Sequence, residues 1–269
     1  VKNFSGVVGL LLAFAASACA GDPDWRGELT APAAQKFPAL PSVRMEFHFG
    51  WSNVLEAAEA EATIRKVGGA YRSQVRGGTK GMARMLWPLD ASHSALSNVD
   101  PAQPGSFNQI ERYRKRTIQT QVRFDATGLD RLRKTSDSKE ADKWKRLNFE
   151  PIFDVIGGVL FVRSQPLRIG DTVGLVCFPG DSPYVAVVHV VKREKVRCMG
   201  RDWPALRLSL TVRKLEVEKK SPTKAVNYAK FRSGTFWVSD DALRIPLRAE
   251  VNVMIGFVYG ELTDFKRLD

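Results

Sequence analysis

FWVSDDALRIPLRAEV, residues 236 to 251, sets two neighbouring acids, Asp240 and Asp241, between two runs that each alternate apolar with polar residues. Adjacent residues on a strand point to opposite faces, so this pair cannot converge on one bond as acid and base. Asp is favoured where a chain reverses, because its carboxylate bonds nearby backbone and it tolerates positive φ. The stretch therefore reads as a hairpin, in which Asn replaces either acid at a cost of about 1 kcal/mol or less. Pro246 lacks an amide hydrogen and places the second strand at an edge or a bulge.

Period two governs the chain from Val43 onward. VRMEFHFGW, residues 43 to 51, puts Val43, Met45, Phe47, Phe49 and Trp51 on one face and Arg44, Glu46 and His48 on the other. The pattern recurs at 118–125, 184–196, 205–218, 234–239 and 243–262, with Gly, Pro, Asp and Ser between. LEAAEAEATI, 55–64, has helical composition, yet its Ala and Glu alternate strictly and we read it as a strand. TKGMARMLWP, 79–88, and PIFDVIGGVLFVRS, 151–164, read as short helices, the second opening at Pro151. The expected fold is mainly β: a long antiparallel meander forming a strongly curved sheet or open barrel, one domain over 43–269, with one or two short helices.

Residues 1–20 have the layout of a secretory signal: Lys2, an apolar run from Val7 to Ala16, then small residues. The run is too short to span a bilayer comfortably. Cys19 follows AASA as a lipoprotein acylation site does, while cleavage after Ala18 or Ala20 fits the same residues. The Ala/Pro-rich stretch 21–42 reads as an extended tether and favours the anchored form, a periplasmic or outer-membrane-anchored lipoprotein acylated at Cys19. The mass of the mature N-terminus separates the two.

Cys177 and Cys198 are expected to be unpaired. Residues 171–196 read as a hairpin turning at 179–183, which leaves Cys198 roughly 40 Å along the strand from Cys177, whereas a disulfide needs Cα atoms within about 7 Å.

The formal charge of +12 is uneven: residues 111–147 hold twelve Lys or Arg and six acids, half the excess in a seventh of the chain. In an exported protein this argues against nucleic acid and for anionic lipid or an acidic envelope polymer, or for a merely solvated face. Arg112, Arg114, Lys115 and Arg116 are the candidate anion contacts.

Nothing in the sequence points to a catalytic set, a metal site or a cofactor. His48, His93 and His189 are scattered, and neither a G-x-S-x-G elbow nor a phosphate loop occurs. GGTKG, 77–81, reads as a turn. His93 with Asp90 and Ser92 can be drawn as an acid–base group, but as sequence neighbours they read better as a polar loop.

WVSDDALRIPLRAEVNVMIGFVYGEL, 237–262, resembles the closing signature of the bacterial domain-of-unknown-function 3108 family: Trp237, Ser239, Asp240, Asp241, Pro246, Leu247, Arg248, Gly256, Glu261 and Leu262 match it, with Val238 where Leu is usual. DVIGGVLFVRSQPLRIGDT is similar to the family's helix and following Gly-Asp, although Gly157 stands where Ser is common, and FHFGWSNVLEAAEAEATI resembles its first two strands. The resemblance implies an exported envelope protein with a curved antiparallel sheet akin to the lipoprotein carriers, and no assigned activity. Three functions follow as expectations. The first is a non-enzymatic protein whose curved sheet, with the helices as a lid, holds a lipid, acyl chain or other hydrophobic or anionic envelope component. The second is a scaffold or interaction module with a filled core, and the third a hydrolase of envelope glycans or esters.

Overall fold

The computed structural model describes residues 24–31, 37–52, 55–100, 102–138, 143–227, 233–252 and 257–268; Cys19 and the signal stretch lie outside them. Among these residues sixteen strands form one sheet. They are β1 (Val43–Trp51), β2 (Leu55–Val67), β3 (Ala70–Thr79), β4 (Leu89–Asn98), β5 (Pro104–Tyr113), β6 (Thr117–Asp125), β7 (Gly128–Thr135), β8 (Lys145–Leu147), β9 (Ile152–Phe153), β10 (Thr172–Cys177), β11 (Tyr184–Cys198), β12 (Arg201–Glu218), β13 (Ser221–Asn227), β14 (Ser233–Ser239), β15 (Pro246–Asn252) and β16 (Phe257–Arg267). Helix α1 (Gly81–Leu86) joins β3 to β4, and α2 (Val155–Ser164) joins β9 to β10.

The sheet runs β8 to β1 in reverse chain order, then β16, β15, β14, β12, β11, β10 and β9, with β13 added beside β12. All neighbours are antiparallel except β9 and β10. Alternation of direction puts α1 and the β1–β2, β5–β6 and β10–β11 connections at one end, which we call the upper end. The hairpin between β14 and β15 lies at the lower end.

Opposite arms of the curved sheet meet inside. Phe107, Val122, Leu129 and Leu147 of β5–β8 pack with Val176, Val185 and Leu215 of β10–β12. Helix α2 reaches from β10 to β4 and touches every part of the core: Leu160 joins the lower cluster, Phe161 stacks on Phe153 at 4.6 Å, and Ile156 packs toward the upper one. Burial of this apolar face is what holds a helix of only ten residues. It is therefore a structural filler of the interior rather than a lid, and the concave side is packed.

The acid pair closes a hairpin as its sequence requires. Asp241 Oδ1 accepts the Ser239 hydroxyl (2.7 Å) and the Leu243 and Arg244 amides (2.9 and 3.1 Å), while Ser239 Oγ accepts the Ile245 amide. Asp240 points elsewhere, to Arg193 at 2.7 Å. Pro246 stands opposite Val238 where the β14–β15 register shifts, the expected bulge. Cys177 lies opposite Tyr184 and both described thiols are free.

Several expectations are corrected. Residues 243–262 are not one strand: β15 and β16 pair with each other, Asn252 against Phe257. Alternation simply continues across the reversal and hides it. Residues 77–79 end β3 instead of forming a turn; the chain bends only at Gly81, where φ is +48°. Helix α2 begins after Asp154, whose carboxylate caps the Ile156 and Gly157 amides, and Pro151 sits before β9. The stretch 21–42 is not a free tether where described. Trp25 is 3% exposed and its indole donates to the Thr223 carbonyl. The Leu40 amide donates to the Tyr71 hydroxyl at 2.7 Å. The backbone at Glu28 lies so close to β10 that a Cβ on Gly174 would come within 2.0 Å of the Glu28 carbonyl oxygen.

This bonding separates two substitutions. Asp241→Asn keeps an acceptor oxygen for all three donors and costs about 1 kcal/mol or less, whereas Asp241→Ala leaves a hydroxyl and two amides without it and costs about 1–3 kcal/mol. Urea unfolding of the two variants measures the gap; equal losses would mean the carboxyl oxygen is not what shapes the hairpin.

Candidate functional site

Strand pairing does not close the barrel. A gap remains between β8, the outermost strand of one arm, and the end of β12, bridged by the Asn148 amide donating to the Lys220 carbonyl at 2.6 Å. A cleft of about 540 Å³ occupies this seam, within the size range of small-molecule sites. Its floor is apolar: Leu129, Leu147, Phe178 and Leu215. Its walls carry Arg131, Lys145, Arg146 and Lys214 against Asp181 and Glu216.

The strands dictate this change from apolar floor to cationic wall. Leu129 pairs with Leu147, and two residues on, facing the same way, Arg131 pairs with Lys145. Like charges directly opposite each other on a sheet are destabilising. Arg131 donates to the Gly180 and Asp181 carbonyls at 3.3 and 3.4 Å, so the β10–β11 turn fixes its guanidinium at the cleft. Burial, and then Arg133 nearby, lower its pKa. Gly180, at φ +126°, lets that turn settle on Gln109. Arg146 is engaged by Asp125 at 2.6 Å, an interaction that holds the Asp125 carboxyl far below its ordinary value. That leaves Arg131, Lys145 and Lys214 as the cations facing the cleft.

The anion contacts expected from sequence lie elsewhere. Arg112 lies on β5, one residue before its end, and Arg114, Lys115 and Arg116 form the β5–β6 turn; all four are exposed and none lines the cleft. The Arg114 guanidinium donates to the Met85 carbonyl, and Arg116 stands 5.2 Å over the Tyr113 ring. Arg131, Lys145 and Lys214 escaped sequence reasoning singly, because each is one more base on an alternating strand. The sequence signal was the replacement of apolar residues by Arg at period two in Leu129, Arg131, Arg133.

The acid–base drawing at His93 does not survive, nor does the loop reading. His93 lies on β4 and packs edge-on against Phe107. Asp90 and Ser92, of opposite parity, face the other way, and Asp90 is held by Arg84 at 2.8 Å. Burial lowers the His93 pKa, and its Nε2 has no partner among the described residues. Among the described residues no group of three or more His, Cys, Asp or Glu could hold a metal ion.

One buried acid departs strongly from ordinary behaviour. Asp154 is fully enclosed, its Oδ2 has no partner among the described residues, and burial pushes its pKa up to about 6 against the pull of the Gly157 and Ile156 amides. Burial, followed by Asp154 itself, pushes the Cys177 thiol upward, away from the thiolate form.

The family model described as "Protein of unknown function (DUF3108)" matches residues 44–263. The chain belongs to the DUF3108 family. No curated protein matches it. Among solved structures, it is similar to a beta-barrel-like protein of domain of unknown function DUF1849 from Brucella abortus, at 10% identity and TM-score 0.57, over 86% of this chain and 100% of that one. Weaker likenesses are to a Bacteroides fragilis protein with a YmcC-like fold, provisionally described as exported (8% identity, TM-score 0.32, 87% and 100% coverage), and to a provisionally described lipoprotein from Parabacteroides distasonis (6%, TM-score 0.35, 88% and 100%). The DUF1849 likeness shares the fold alone. Nothing in these comparisons points to an enzymatic activity.

Asp154 yields a pH test. An unfolded Asp titrates near 3.8 and the folded one near 6, so between these values the folded protein binds more protons. Its contribution to stability therefore declines as pH rises through that window, by about 3 kcal/mol in all. Asp154→Asn keeps the helix cap and removes the titration. The stability difference between variant and parent should shift in the variant's favour from pH 4 to pH 6; a difference independent of pH would show that Asp154 is not held in a raised state.

Proposed function

We propose that this DUF3108 protein is a non-enzymatic, exported cell-envelope protein that holds an amphiphile with an acidic head group, such as a lipid or fatty acyl chain, in the seam cleft. The observation that carries the reading is the Arg131–Lys145 pair, two cations directly opposed above a floor of Leu129 and Leu147. An anion between them meets two opposed cations, while the floor takes the apolar chain. The packed interior directs binding to this seam and away from the concave groove. Export rests on the layout of residues 1–20, and attachment on acylation of Cys19, which makes the protein a periplasmic or outer-membrane-anchored lipoprotein. A cleft that stayed empty would favour a scaffold instead, because the filled core serves that role equally well.

Isothermal titration with dodecanoate below its micelle concentration tests this. Binding is expected, weaker at high salt. The exposed pair Lys145→Glu and Lys214→Glu should weaken it about tenfold or more, or about 1.4 kcal/mol. No heat of binding, or an affinity unchanged in the double variant, would refute the assignment.

A further inference from the structure

Helix α1 sits at the upper end with its apolar side chains outward. Met82, Met85, Leu86 and Trp87 are 64–76% exposed, and none of the helix's residues is buried. A globular domain rarely leaves such a group uncovered without a use for it. The β5–β6 turn lies against this helix, since the Arg114 guanidinium donates to the Met85 carbonyl, and it brings the exposed cations Arg114, Lys115 and Arg116 next to Arg112 at the end of β5. The cations within and before α1 are already paired, Lys80 with Glu59 at 2.7 Å and Arg84 with Asp90 at 2.8 Å. The surface is thus an apolar, tryptophan-bearing ridge flanked by excess positive charge.

From this we infer that the upper end docks on an anionic phospholipid bilayer, with α1 entering the interfacial layer and the β5–β6 turn against the head groups. Apolar side chains beside unneutralised Lys and Arg match what such an interface offers, and Trp favours the head-group level. The bilayer fits better than a protein partner because cations outnumber acids at the turn: Asp90, opposite Arg112, is already engaged by Arg84, and Arg114, Lys115 and Arg116 follow one another in the turn. The docking surface does not depend on acylation of Cys19.

The test uses the Cys19→Ser chain recovered after export, which carries no acyl group, in flotation with vesicles of phosphatidylcholine alone or mixed with phosphatidylglycerol. Association is expected with the mixed vesicles only, reversed by high salt. Leu86→Ser with Trp87→Ser, and separately Lys115→Glu with Arg116→Glu, should each lower the bound fraction about tenfold; unchanged melting temperatures establish that both variants fold. Three results would overturn the inference. One is flotation indifferent to both variants. Another is flotation lost only with Lys145→Glu and Lys214→Glu, which would place the lipid in the cleft. The last is a dimer in free solution that Leu86→Ser dissolves, with no vesicle binding.

Discussion

Two buried arginines at the lower end hold the rest of the structure in place. Arg163, at the end of α2, donates to the carbonyls of Ala242 and Leu243 in the acid-pair hairpin and to Pro38, while Arg244 of that hairpin donates back to the carbonyls of Arg163, Gln165 and Pro166. Phe37 faces both guanidiniums, at 5.6 and 3.2 Å. Burial lowers both pKa values, Arg244 to about 10, yet the groups stay charged at neutral pH because carbonyl oxygens replace their water. The two side chains so join three segments distant in sequence: the stretch 37–40, the end of α2, and the link from β14 to β15.

This clamp bears directly on function. It fixes α2 across the interior, where Leu160 and Phe161 fill space that a curved sheet could otherwise offer to a ligand. With the interior closed, the accessible chemistry moves to the seam between β8 and β12 and to the ridge of α1. A fold of this size leaves few unpaired strand edges, and it is at such an edge, β8, that the cations of the cleft gather.

Legibility in the sequence followed the range of the interactions. The hairpin at Asp240 and Asp241 was readable because it is built from residues six apart, and the Cys177–Tyr184 opposition because a single turn fixes it. The alternation of 55–64 outweighed its Ala and Glu content, since β2 is paired on both sides, by β1 and β3. What escaped was long-range or low in contrast. β4, with the sequence LDASHSALSN, carries too few large apolar residues to show its inward face. The docking of Trp25 on Thr223 spans 198 positions and has no periodic trace. The cleft required β7, β8 and β12 to be brought together, and no local pattern in Lys145 or Lys214 foretells it.

Hydrogen exchange of the Arg244→Leu variant tests the central claim, that the clamp is what keeps α2 in place and the interior filled. The variant should lose protection together in α2 (Val155–Ser164), in the hairpin 239–245 and in the amide of Leu40, while β5 to β7 keep theirs. Uniform loss over the whole sheet, or full protection of α2 with only the hairpin exposed, would contradict it.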